Sequence, residues 1–154
     1  MRARFGLAQV LWEIGKHQEA IQHAWEMLRL NPNDNQGVRD LLLGWLLEVG
    51  EDARVKKLLD LYPEDASAIW SYGRVLHALR TKGDTKQTRK LLAEVKRENR
   101  HVPAYLLGRK RLPSRLPEMI GFGDESEAVA CAVEQMEAWH KTPGALAWLA
   151  AQCE

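Results

Sequence analysis

The sequence predicts an all-α chain, an α-α superhelix of about three helix pairs followed by C-terminal capping helices. Three observations carry this. Apolar residues fall at i, i+1, i+4 before successive glycines and at i, i+4, i+7 after them, a 3.6-residue period with no competing strand alternation. The pattern repeats: Trp12-Glu13-Ile14-Gly15 returns 35 residues later as Leu47-Glu48-Val49-Gly50, and Gly50 aligns with Gly83 a further 33 on. The length, 154 residues, suits one domain that buries about 70% of its unfolded surface.

The elements follow in order. The units span about 1–34, 35–65 and 66–100. Leu7, Ala8 and Leu11 in the first helix match Leu42, Leu43 and Leu46, then Val75, Leu76 and Leu79. After each glycine, Ala20, Ala24 and Met27 match Val55, Leu59 and Tyr62, then Thr88, Leu92 and Val95. Gly15, Gly50 and Gly83 are expected to end the first helices in left-handed conformation. Asp52 and Thr85 are the expected N-caps of the second helices, Asn33-Asp34-Asn35 and Asp65-Ala66-Ser67 those of the next first helices. Pro32 and Pro63 stop the second helices, because the residue before proline disfavours helical geometry. Pro103 opens a short helix at 104–108. Pro113, Pro117, Gly121 and Gly123 make 109–123 an extended loop. Asp124 with Glu127 forms a capping-box pattern for a helix from about 125 to 140, with Val129, Ala132, Val133, Met136 and Trp139 on one face. Thr142-Pro143 caps and starts a last helix carrying Leu146, Trp148 and Leu149. Residues 124–154 are thus expected to be two capping helices that close the apolar end of the stack.

A period near 34 residues built from paired helices resembles the tetratricopeptide repeat family. The first unit carries the likeness best, with Leu7, Ala8, Leu11, Gly15, Ala20, Ile21 and Asn31-Pro32-Asn33. The second departs at Val55 and closes early at Tyr62-Pro63, and the third has Thr88 and no closing proline at the usual place. The C-terminal third, roughly 99–150, resembles the suppression-of-tumorigenicity-7 family through His101-Val102-Pro103-Ala104-Tyr105-Leu106-Leu107-Gly108-Arg109-Lys110, Gly123-Asp124-Glu125-Ser126-Glu127-Ala128-Val129-Ala130, Trp139 and Gly144-Ala145-Leu146. Animal members carry membrane helices upstream that have no counterpart here, which implies a soluble bacterial relative. This resemblance implies architecture and no catalytic activity. The uncapped start at Met1-Arg2-Ala3-Arg4 suggests an excised piece or a missing upstream repeat, since a stack of three units needs both ends covered.

Composition excludes several classes. The longest apolar stretch, Leu41 to Leu47, has seven residues, against about 20 for a membrane span, and MRARFGLAQV has no long apolar signal-peptide core. Cys131 and Cys153 alone make neither a disulfide framework nor a metal knuckle, which suggests the reducing cytoplasm. The net charge of +1 conceals segregation: −3 over residues 1–73, +10 over 74–115 and −6 over 116–154.

No constellation points to catalysis, a cofactor or a metal. The five histidines include no i, i+4 pair, there is no Gly-x-Ser-x-Gly elbow, and Cys131 sits between alanines in a helix. Gly121-Phe122-Gly123 follows no strand and lacks the phosphate-loop lysine. The expected function is a non-enzymatic scaffold that binds a protein or peptide. The tetratricopeptide resemblance implies a concave groove lined by first helices: Arg2, Phe5, Gln9, Trp12 and Glu13 in unit one, Gly37, Asp40, Gly44, Leu47 and Glu48 in unit two, and Trp70, Gly73, His77, Arg80 and Thr81 in unit three. Trp12 and Trp70 serve there either as partner anchors or as inter-helix packing. The alternative is nucleic acid or an acidic partner on a basic strip of Lys86, Arg89, Lys90, Arg97, Arg100, Arg109, Lys110, Arg111 and Arg115, where only Tyr105 offers an aromatic for stacking. Homodimerisation through the oppositely charged segments is a further expectation.

Overall fold

A computed structural model describes residues 2–34 and 37–153. Met1 and Asn35, on which expectations about the chain start and the second-unit cap rested, lie outside the described residues. Among those described there are nine helices and no strand: α1 (Arg2–Glu13), α2 (His17–Leu30), α3 (Val38–Val49), α4 (Asp52–Leu61), α5 (Ala68–Lys82), α6 (Lys86–Glu98), α7 (Val102–Leu106), α8 (Glu125–Lys141) and α9 (Ala145–Gln152). The first six form three consecutive pairs, α1/α2, α3/α4 and α5/α6, in which α2 packs on α3, α4 on α5 and α3 on α5.

The turn inside each pair is set by its glycine. Gly50, with φ 80°, donates its N–H to the carbonyls of Leu46 and Leu47, and Gly15 and Gly83 share its positive φ. An L side chain there would pay the left-handed penalty. Other termini differ from expectation. Thr85 caps α6, its Oγ1 accepting from Thr88 N at 3.1 Å, but Asp52 lies inside α4 behind Glu51, and its carboxylate meets Arg80 at 3.0 Å. Asp34 caps α3, its two carboxylate oxygens each accepting at 2.8 Å from Val38 N and Arg39 N. Ser67 stands at the cap of α5 without a side-chain bond, and Asp65 accepts from its N–H instead. Gly144, not Thr142, holds the cap of α9, and Thr142 Oγ1 instead donates to Ala138 O at 2.8 Å.

The largest difference lies at the C-terminus. Helix α8 does not close the end of the stack after α6; it lies across α3 and α5, with α7 and α9 against it. Two glycines permit this. A Cβ on Gly44 would stand 2.6 Å from the Glu134 carbonyl oxygen, and one on Gly73 2.9 Å from Leu43 Cδ2 and 3.2 Å from Gln135 Nε2. The seam is lined on α8 by Ala128, Cys131, Ala132, Gln135, Ala138 and Trp139, all almost fully buried. Trp139 and Trp70, both at 0% exposure, head the core, and each buried side chain of this size is worth about 1.5–3 kcal/mol or more.

Polar contacts pin the seam. Asp124 caps α8 through Ser126 N (2.9 Å) and Glu127 N (3.2 Å). Glu127 does not complete the capping box by reaching back to Asp124 N, which donates to Gly121 O. Its carboxylate turns inward and accepts from Ala68 N (3.2 Å), Asn99 Nδ2 (2.9 Å) and Gly123 N (3.1 Å), tying the start of α5 and the end of α6 to α8. Gln135 Nε2 donates to Ile69 O. At the far end Lys141 pairs with Glu48 at 2.9 Å.

Candidate functional site

The expected groove residues do not share one surface. Leu47 and Trp70 are covered, at 1% and 0% exposure, and Trp70 serves packing: its ring stands edge-on to Tyr62 at 5.8 Å and its Nε1 donates to Asp40 Oδ1 at 2.7 Å. Trp12 stacks on Trp45 (4.8 Å) and His17 (3.8 Å), so it too joins helices together. Glu48 is held by Lys141, and Arg80 is largely buried, donating to Leu47 O at 2.5 Å beside Asp52. His77 leaves the groove: it lines a cleft between α4 and α5 with Asp52, Lys56 and Thr81, and burial pulls its pKa down. Arg2, Gln9 and Glu13 are exposed and Phe5 half-buried on α1.

Phe5, Gln9 and Asp40 do come together. With Ile69, Ala130, Val133, Glu134 and the loop residues Leu116, Pro117 and Ile120 they line a cavity of about 350 Å³. Helix α8, packed across α3 and α5, forms one of its walls. The cavity rim carries exposed apolar groups, Leu116 at 55%, Ile120 at 59% and Val133 at 43%, with the still more exposed Met119 and Phe122 on the same loop. Isolated exposed apolar residues are ordinary; Leu116, Ile120 and Val133 border one cavity.

The deeper wall is acidic. Burial raises the pKa of Asp40, and the neighbouring Asp65 and Asp34 add to that, while the Trp70 hydrogen bond and Arg39 oppose it. Burial likewise raises Glu134, with the Asp40 charge adding to it. Glu134 accepts no hydrogen bond from a described residue. Sequence reasoning missed Glu134, Ala130, Val133 and the loop pair Leu116 and Ile120 as site residues. The signal available was the run of small residues at 128, 131 and 132, which marks a helix face built for close approach.

The basic strip lies elsewhere. Lys86, Arg89, Lys90, Arg97, Arg100, Arg109, Lys110 and Arg111 are all exposed, on α6, the α6–α7 connection and the loop after α7, and none lines the cavity. Arg89 grips Asp84 with two bonds of 2.7 Å, and these, with Trp148 Nε1, pull the Asp84 pKa to about 2. Lys110 is bonded to Glu125. Among the described residues no three His, Cys, Asp or Glu side chains gather as a metal site requires, and no helix is long and apolar enough to cross a membrane.

No family model, curated protein or solved structure matches this chain.

Proposed function

We propose that this chain is a non-enzymatic, tetratricopeptide-like scaffold that binds a protein partner at the open end of its concave side. One observation carries the reading: an apolar-rimmed cavity of about 350 Å³ with α8 as one of its walls. The repeat period and the helix pairing support a solenoid that works by presenting surface, by analogy with other folds of that architecture. Both cysteines are unpaired, Cys131 buried and Cys153 half-buried, which supports work in a reducing compartment such as the cytoplasm.

The exposed cations of α6 favour a second reading, nucleic acid on the strip, although Arg89 and Lys110 already hold carboxylates of their own chain. One experiment separates the two. A photo-crosslinking residue is placed at Met119, 85% exposed beside the cavity, or at Arg97 on the strip, in host extract with and without nuclease. The scaffold reading expects protein adducts at 119 that survive nuclease. Adducts confined to 97 and lost with nuclease would transfer the function to the strip.

A further inference from the structure

The cavity between α1, α3, α8 and the loop before α8 combines two features. Its rim is apolar and exposed, through Leu116, Ile120 and Val133, and its wall holds two carboxylates, Asp40 and Glu134, on facing helices. Both are half-buried, and a carboxylate that has given up part of its hydration favours a counter-charge or donors in its place. Asp40 has one donor, Trp70 Nε1. Glu134 has none from a described residue, and the nearest charge acting on it is Asp40, of the same sign. Arg39, the cation beside Asp40, is engaged with Asp34 and Asp65. The surrounding segments are acidic as well, −6 over 116–154 and −3 over 1–73.

Resting on the scaffold reading above, we propose that this cavity docks a segment of a partner protein that inserts one Arg or Lys between Asp40 and Glu134 and lays flanking bulky apolar side chains on Leu116, Ile120 and Val133. The charge selects a cation. The apolar rim selects a side chain carried on a peptide over a free metal ion: hard cations take six or more oxygens, and the lining here offers two carboxylates and the Gln9 amide. A cavity of about 350 Å³ holds one long side chain and the start of its neighbours.

The test is selection of a phage-displayed random 15-residue peptide library on the whole protein, in parallel on Asp40→Asn/Glu134→Gln and on Ile120→Ser. Asn at 40 keeps an acceptor for Trp70, Gln at 134 keeps the shape, and position 120 is exposed, so all three are expected to fold as the parent does, checked by circular dichroism and thermal melting. The proposal expects enriched peptides with Arg or Lys next to Leu, Ile, Phe or Met. Their affinity should fall at least about tenfold on each variant, as when a desolvated ion pair or apolar anchor loses a member. Peptides without a basic residue, or unaffected by the charge-removing variant, would overturn this inference and leave the scaffold reading standing. No enrichment would overturn it too, while protein adducts at Met119 would still sustain the scaffold. Spermine displacing the selected peptides at equal concentration would also overturn it, by showing that cation charge alone is read.

Discussion

Each carboxylate is decided by what it touches. Glu127 is almost fully buried, yet three donors converge on it, so its burial costs little and it fastens α5 and the α6 terminus to α8. Asp40 and Glu134 lack such support, and both have pKa values raised by burial. A carboxyl with a raised folded-state pKa binds its proton more tightly folded than unfolded. Its charge therefore costs nothing below the unfolded value of about 4 and destabilises increasingly as pH climbs through the folded value. The groups that bear on this pair are Arg39, Asp34 and Asp65 for Asp40, and Asp40 itself for Glu134. Asp40→Asn/Glu134→Gln is accordingly expected to raise the urea midpoint at pH 8 and to lose that advantage by pH 4. A variant less stable than the parent at pH 8 would mean that the two carboxylates are compensated in the folded state.

At the scale of elements, the helices, their pairing and the glycine turns are legible in the sequence because they follow from local rules: a 3.6-residue period, a left-handed terminator and proline stops. Thr85 and Asp124 were legible as caps for the same reason. The position of α8 was not. Its periodicity shows which face is apolar and says nothing about which helices that face meets, since α3 and α5 are more than 40 residues away in sequence. Leu47 and Trp70 are expected at a groove because they lie on first helices, and the structure buries both, Trp70 against Tyr62 and Asp40. Gly44 carried part of the missing information: a glycine inside the apolar run 41–47 is consistent with close approach of another backbone, here that of Glu134. Gly44→Val makes this testable. The added carbons would meet the Glu134 carbonyl, a backbone atom, so overpacking is expected to cost about 1–3 kcal/mol or more. Gly6→Ala, with open space around it on α1, should be neutral or stabilising by up to about 1 kcal/mol. Chemical denaturation of the pair measures both, and equal effects would refute the close approach at Gly44.

Across the whole molecule, α8 changes the kind of stability the chain has. In an open solenoid each repeat touches only its neighbours, and stability is nearly a sum of local terms. Here α8 spans units two and three, bonds to Ala68, Ile69 and Asn99, and reaches Glu48 through Lys141. Helices α3, α5 and α8 share the buried tryptophans and should open together. Helix α1 stands apart: it packs chiefly on α2, buries only Ala8 fully, and leaves Leu7 and Val10 at 46% and 53% exposure. Amide hydrogen exchange read by mass spectrometry should therefore show α3, α5 and α8 exchanging at one common, slowest rate, with α1 opening earlier by a separate local route. The site stands on the boundary between these two regimes, since Phe5 and Gln9 come from α1 while Asp40 and Glu134 come from the rigid block. A partner seated there joins both, so its binding is expected to slow exchange in α1 more than in α5. Equal protection of α1 and α5 in the free protein would show the chain to be a single cooperative unit from end to end, and the α1 side of the cavity to be as rigid as the wall that α8 forms.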